Sequence, residues 1–153
     1  MFDEYEITSS TLMLEYYDED KTKVYELDND FIVNQNILTV IKNSCNFYGS
    51  NFDGRVEASK KILNTNIKLP IVVEDVKKII FFPTKAFYRT GCKWLSFNNI
   101  DKIERVYKSA NVTRVYFCNG LVKDIDVSYE IIYRQFYNCM LLEKTLLLRQ
   151  ERA

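Results

Sequence analysis

Donors suited to an anionic ligand gather between residues 44 and 61, where aromatic, small polar and basic side chains alternate. The Gly-Ser-Asn sequence at 49–51 is turn-forming and presents backbone N–H groups and short polar side chains. Arg55 follows, and Lys60 and Lys61 lie just beyond it. Amides, hydroxyls, a guanidinium and two ammonium groups in one segment suit a ligand with a regular anionic backbone, and nucleic acid is the leading candidate.

The local structure expected for this segment is a strand followed by two turns. The strand is predicted to end at residues 47–48, and residues 49–51 are predicted to form the first turn. Residues 52–54 are predicted to form the second turn, from which Arg55 emerges. An ordinary hairpin turn with a solvated basic edge explains the same local chemistry equally well, so the rest of the chain has to decide between the two interpretations.

The charge of the chain is unevenly distributed, although its formal net charge is zero. Residues 1–30 contain ten acidic residues and two lysines, a net charge of −8. Residues 31–153 contain nineteen basic and eleven acidic residues, a net charge of +8. Such asymmetry is typical of proteins that contact nucleic acid or carry an acidic arm. The balanced total therefore conceals a basic body.

Several kinds of chemistry are disfavoured by the residues that the chain lacks. It has no histidine, which removes the usual general base, the Ser-His and Cys-His dyads and most zinc sites. Its four cysteines are widely spaced, and we expect reduced, mostly buried thiols rather than a metal site. We therefore expect neither an enzyme nor a bound cofactor. The acidic N-terminus and short apolar stretches predict a cytoplasmic protein without a signal peptide.

The expected fold class is α+β, a mostly antiparallel β-sheet domain with a C-terminal amphipathic helix. Eleven tyrosines, ten phenylalanines and many Val and Ile residues favour strands. Strands are predicted at residues 2–17, 23–27, 67–73, 78–84, 92–97, 102–107, 112–118 and 121–127. Pro70 predicts an edge strand, and Asn119-Gly120 predicts a hairpin. Ser128 is a suitable N-cap for the final helix.

Two segments remain ambiguous in sequence. Residues 33–42 contain an apolar run that fits a strand or a short helix, and residues 56–63 fit a loop or a short amphipathic helix. We expect a single DNA-binding domain over residues 1–153. Within it, the sequence predicts an acidic N-terminal hairpin, a basic β-rich body and a C-terminal helix, at residues 1–30, 31–127 and 128–153.

Three groups of segments resemble one family. The first is SCNFYGSNFDGR at 44–55, which is similar to the pattern SC-x-F/Y-[FY]-GSS-x-x-GR of the ComK competence transcription factors of Gram-positive bacteria. The second pairs KLPI at 68–71 with IFFPT at 80–84, and resembles the K-x-P-I and FFPT segments of that family. The third comprises CKWLS, FCNG and VSY at 92–96, 117–120 and 127–129. All three occur in the family's order.

The resemblance implies a DNA-binding activator of competence (DNA-uptake) genes that acts as a homo-oligomer on bent, double-stranded DNA in the nucleoid. Such proteins recognise A-tract and T-tract boxes mainly through the minor groove, which is narrow and strongly negative in A-tracts. Arg55 is then the residue expected to insert into the groove. The other expected DNA-binding residues hold phosphates or add positive charge: Ser50, Asn51, Lys60, Lys61, Arg89 and Lys93.

The chain departs from the family pattern at two places. Asn51 stands where the family usually has Ser, a change that keeps a hydrogen-bonding side chain. Family members also carry a C-terminal segment recognised by a MecA-type adaptor, which delivers them to the Clp protease, and residues 1–153 contain no similar segment. This leaves an alternative function open: a shortened or diverged paralogue that modulates a full-length relative by protein interaction and binds DNA weakly.

Overall fold

The centre of the molecule is a six-stranded antiparallel sheet, seen in a computed structural model that describes residues 1–87 and 89–152. Its strands follow the spatial order β3-β2-β1-β6-β5-β4. They comprise β1 (Thr11–Asp18), β2 (Lys21–Glu26), β3 (Asp30–Val33), β4 (Ile71–Glu74), β5 (Ile79–Pro83) and β6 (Trp94–Ser96). The strands β1, β2 and β3 of the N-terminal segment therefore belong to the same sheet as β4, β5 and β6.

A second, three-stranded antiparallel sheet and three helices complete the fold. The sheet consists of β7 (Ile100–Val106), β8 (Ser109–Phe117) and β9 (Val122–Ile125), and a short 3-10 turn at Phe97–Asn99 precedes it. The helices are α1 (Ile37–Phe47), α2 (Phe52–Leu63) and α3 (Tyr129–Arg152). The predicted α+β class, the antiparallel sheets and the C-terminal helix are confirmed.

Alternation along the strands of the large sheet produces two separate hydrophobic clusters. In β5, Ile79 and Phe81 point to one side of the sheet, and Ile80 and Phe82 point to the other. The first side packs against α1 and α2, and the second packs against the small sheet and α3. The six-stranded sheet is therefore buried on both faces, which explains why β5 is a continuous apolar run rather than an alternating one.

The two edges of the large sheet are β3 and β4. Phe2 pairs with the β3 edge: its amide donates to the Ile32 carbonyl at 3.0 Å, and its carbonyl accepts from the Asn34 amide at 2.7 Å. Pro70 lies immediately before β4 and contributes no N–H donor. The edge strand predicted at residues 67–73 is thus confirmed, although the observed strand begins only at Ile71.

Helix α3 is held to the large sheet by one buried polar side chain as well as by apolar packing. Ile132, Cys139 and Leu142 are buried on its inner face, together with Gln135. The Gln135 Nε2 group donates to the carbonyls of Lys68 at 2.8 Å and Pro83 at 2.7 Å. Both amide hydrogens of this group are therefore used to join α3 to the chain near β4 and β5.

The strand predicted to end at residues 47–48 and the second turn predicted at 52–54 are wrong, since residues 37–47 and 52–63 are helical, whereas the first turn predicted at 49–51 does lie between the two helices. Val40, Ile41, Ser44 and Cys45 are buried at helical spacing, and the Asn36 side chain caps α1 by accepting from the Thr39 amide. Helix α2 begins where the second turn was predicted. Of the alternatives left open in sequence, a helix is present at both segments. Within the described residues, no helix combines the length and apolar character needed to span a membrane.

Candidate nucleic-acid interface

The turn between α1 and α2 is short and internally hydrogen-bonded. Gly49 has a φ of +83°, in the left-handed region that favours glycine, and its amide donates to the Asn46 carbonyl at 3.0 Å. The Ser50 amide donates to the Cys45 carbonyl, also at 3.0 Å. The Tyr48 hydroxyl donates to the Ile7 carbonyl at 2.7 Å and ties the turn to the N-terminal segment. The α1–α2 corner is consequently a fixed feature of the surface.

The residues predicted to hold phosphates, Ser50 and Asn51, lie at the N-terminus of α2. Part of their hydrogen-bonding capacity is already used within the protein. The Asn51 side-chain oxygen accepts from the Gly54 amide at 2.7 Å and caps the helix. Asp53 is exposed in the first turn and places a carboxylate at the positive end of the helix dipole. Asn51 therefore has its amide NH2 group left as a donor, and Ser50, partly exposed, precedes it.

Arg55 lies mostly covered instead of projecting from the corner. Its side chain is 17% exposed, and its Nη2 lies 3.9 Å from the Asp75 carboxylate in the turn between β4 and β5. The Arg55 Nε is buried and has no hydrogen-bond partner among the described residues. Burial raises the pKa of the neighbouring Cys45 thiol to about 11, and the charge of Arg55 acts against that increase. In this conformation Arg55 is a packed, partly paired cation.

The two lysines at the end of α2 are more accessible. Lys61 is exposed, and Lys60 lies 3.3 Å from Glu57 in an exposed i,i+3 pair. Because Asp53 and Glu57 are also exposed on this helix, its outward surface mixes both signs of charge. The basic character is concentrated in the last turn, where it complements the negative end of the helix dipole.

The connection between β5 and β6 carries a second set of basic residues. Arg89 is exposed. The Lys93 ammonium lies 4.0 Å from Asp126, and the Lys85 ammonium lies 3.2 Å from the same carboxylate. The hydrogen bond from Lys85, with the charges of both lysines, lowers the pKa of Asp126. Lys85 was not among the predicted site residues, although its position directly after IFFPT placed it in the same loop.

An aromatic contact brings this loop to the α1–α2 corner. The Phe87 ring centroid lies 5.6 Å from that of Phe52, the first residue of α2, and 5.1 Å from that of Trp94. The Lys42 ammonium of α1 lies over the ring of Phe52, 5.7 Å from its centroid. The loop therefore reaches the corner through Phe87, whereas Lys93 is directed toward Asp126, in the segment between β9 and α3.

A cavity of about 400 Å³ opens beside the loop. The β1–β2 hairpin contributes Tyr16 and Lys21 to its lining, and α1 contributes its first residues. Arg89 and Trp94 line the side formed by the loop and β6. Two cations and three aromatic rings, those of Tyr16, Phe87 and Trp94, thus line an open concave surface beside the first residues of α1. Lys21 is a second basic residue that the sequence prediction did not include.

Neither a disulfide nor a metal cluster contributes to this surface in the part of the chain that the structure describes. Cys45, Cys92 and Cys139 are buried free thiols, and Cys118 is an exposed one. Across residues 1–87 and 89–152, no three Cys, Asp or Glu side chains are grouped so that they could hold a metal ion.

Comparison with known proteins gives a family and one relative. The sequence model of the ComK protein family matches residues 2–151. A protein of Bacillus subtilis (strain 168) described as a competence transcription factor is 30% identical over 116 residues. That alignment covers 76% of this chain but only 59% of the relative, and no solved structure matches. With the family pattern extending over almost the whole sequence, the chain belongs to the ComK family.

Proposed function

We propose that this protein is a DNA-binding regulator of transcription that activates competence genes. The observation that carries the proposal is the family match over residues 2–151, together with the description of the B. subtilis relative as a competence transcription factor. The proposed partner is double-stranded DNA in the nucleoid. The basic loop packed against the α1–α2 corner supports this function, because phosphate backbones are bound by clustered Lys, Arg and polar side chains.

The proposed mode of recognition is through the minor groove of A-tract and T-tract boxes. A narrow A-tract groove favours an inserted arginine without base-by-base hydrogen bonding. Arg89 suits this role because it is exposed on a loop beside the corner. Arg55 would have to leave Asp75 and its covered position to reach DNA, so we assign it the role of supporting the corner.

The remaining predicted residues are proposed to contact the phosphate backbone. Lys60 and Lys61 extend the basic surface along α2, and Ser50 and Asn51 lie at the opposite end of that helix. Lys93 adds charge on the side of the loop that faces Asp126. Such contacts fix the orientation of a protein on the duplex and give affinity that falls with salt, but they carry little sequence information.

The test is a binding titration of the purified protein against a duplex with an A-tract/T-tract pair and against a scrambled duplex, over a series of salt concentrations. We expect a preference for the first duplex and a steep salt dependence. Arg89→Ala should reduce the preference more than Arg55→Ala does. Lys61→Ala should weaken binding to both duplexes equally. It should also lower the slope of log affinity against log salt concentration by about 1.

The matched control is Lys102→Ala, which removes an exposed lysine from β7, on the other sheet. It should leave affinity, preference and salt slope close to those of the unmodified protein. Weak, equal binding to both duplexes would contradict the proposed DNA recognition. The exposed face of α3 described below would then favour the second candidate function, modulation of a relative by protein interaction.

A further inference from the structure

Helix α3 carries two apolar seams, and only one of them is covered. The inner seam comprises Ile132, Gln135, Cys139, Leu142 and Leu146, at intervals of three and four residues. The first four of these side chains are buried, and Leu146 packs against the same cluster. Intervals of this kind place residues on one face of a helix, which here faces the two sheets. The inner seam accounts for how α3 is attached to the molecule.

The outer seam has the same spacing on the opposite side of the helix. Its positions are Tyr133, Tyr137, Met140, Lys144 and Leu147, at intervals of four, three, four and three. The apolar residues of this seam are between 47 and 55% exposed. Leu141 and Leu148 flank it and are also exposed, and Tyr129 precedes it by one turn. This is the pattern by which one helix packs along another, and a continuous exposed apolar face of this kind marks an interaction site.

The single charged position in the outer seam indicates which partner and which orientation fit. If a second copy packed in parallel and in register, Lys144 would face Lys144 of the other copy, and the arginines at the end of α3 would lie side by side. Like charges in such contact are unfavourable. In an antiparallel pair centred between Tyr137 and Met140, Lys144 instead meets Tyr133, Met140 meets Tyr137 and Leu148 meets Tyr129. These are cation–π, sulfur–aromatic and apolar contacts.

We propose that the outer seam of α3 binds the same seam of a second copy of this chain, in that antiparallel arrangement. Residues 129–148 overlap over about 30 Å of helix, and each of the three layers named above contains a tyrosine. Leu147 lies opposite Glu130, whose carboxylate is paired with Arg105 of its own chain at 2.9 Å. A two-fold axis relates the copies, as in most protein dimers, so each contact occurs twice. The inference adds a surface and a geometry to the expectation of a homo-oligomer, and it does not depend on DNA binding.

The first experiment measures molar mass by size-exclusion chromatography with light scattering, over a wide range of protein concentration. The unmodified protein should change from monomer to dimer as its concentration rises. Met140→Glu places two charges at the centre of the antiparallel pair and should leave a monomer throughout. The matched control is Val122→Glu, which introduces the same charge at an exposed apolar residue of β9. It should dimerise like the unmodified protein.

The second experiment tests the orientation by disulfide cross-linking in a Cys118→Ser background, which removes the exposed native thiol. Two single variants, Tyr133→Cys and Lys144→Cys, are oxidised separately and as a mixture. In the antiparallel pair the two positions face each other, so only the mixture should give a cross-linked dimer. Identical positions lie about 16 Å apart in that arrangement, too far for a disulfide.

Three outcomes would overturn the proposal. A monomer at every concentration would show that the seam does not bind a second copy. A Met140→Glu variant that still dimerises would show that copies associate through another surface. Cross-linking of each cysteine variant with itself, and none between the two, would establish a parallel pair. Because Met140, Tyr133 and Lys144 are exposed, circular dichroism should confirm that each variant is folded.

Discussion

The inner and outer seams of α3 have nearly the same spacing but different consequences. The inner seam is buried against two sheets and contains a polar residue whose hydrogen bonds are satisfied. The outer seam is exposed and contains one lysine, Lys144, and no acidic residue of the seam balances its charge. Periodicity alone therefore predicts that a helix face will pack against something. Burial and the position of the polar residue distinguish packing within the chain from packing against another molecule.

The largest expected contrast between the seams is in folding stability. Ile132 is fully buried, so Ile132→Ala should lower the free energy of unfolding by about 2–5 kcal/mol through lost apolar contact and the cavity left behind. Leu147→Ala makes a similar deletion in the outer seam, where the side chain is 47% exposed, and should cost much less. Urea denaturation of both variants at a concentration that keeps the protein monomeric measures the difference. Equal losses would contradict the assignment of the two faces.

A smaller effect is expected from the polar residue of the inner seam. Gln135→Leu introduces an apolar side chain of similar size, but it leaves the carbonyls of Lys68 and Pro83 without their hydrogen-bond donor. An unsatisfied buried carbonyl costs about 1–3 kcal/mol, so the free energy of unfolding should fall despite the added hydrophobicity. The same change at the exposed Gln150 is the control and should be close to neutral. A Gln135→Leu protein as stable as the parent would show that these hydrogen bonds contribute little.

The smallest contrast concerns alkaline pH. Burial raises the pKa of the Cys139 thiol well above its usual value, with the nearby Glu143 carboxylate adding to the increase. The folded chain thus keeps a proton that the unfolded chain loses above about pH 8.5, and the stabilisation from this group should decline as pH rises beyond that point. Cys139→Ala should show a shallower decline in melting temperature between neutral and alkaline pH. Cys118→Ser, at an exposed position, should follow the parent curve.

Sequence reasoning predicted α3 and most strands because each carries a long or repeated pattern with clear ends. It failed at the α1–α2 corner because Gly54 looked like a turn residue. In the structure Gly54 lies in the first turn of α2, where a Cβ would come within 3.2 Å of the Asn51 oxygen that caps the helix. The two asparagines that begin these helices were the available signal, since Asn is a favoured N-cap.

The candidate site could be predicted only in part. The residue types were evident, but the packing of the loop that carries Arg89 against the corner depends on the Phe87–Phe52 contact between residues far apart in sequence. Local patterns contain no information about such a contact. The covering of Arg55 is equally non-local, because it depends on Asp75 in a turn that follows β4. The sequence therefore locates a positive charge after the turn. The tertiary structure decides whether the guanidinium is exposed and available to a ligand.

The pairing of Phe2 with β3 has a consequence for handling the protein. Unpaired edge strands are templates on which other chains add strands and aggregate. Here the first residues occupy the N–H and C=O groups at Ile32 and Asn34 that such a strand would use. Variants from which the first residues, including Phe2, are deleted should therefore be more prone to irreversible aggregation, whereas fusions after α3 leave that edge closed.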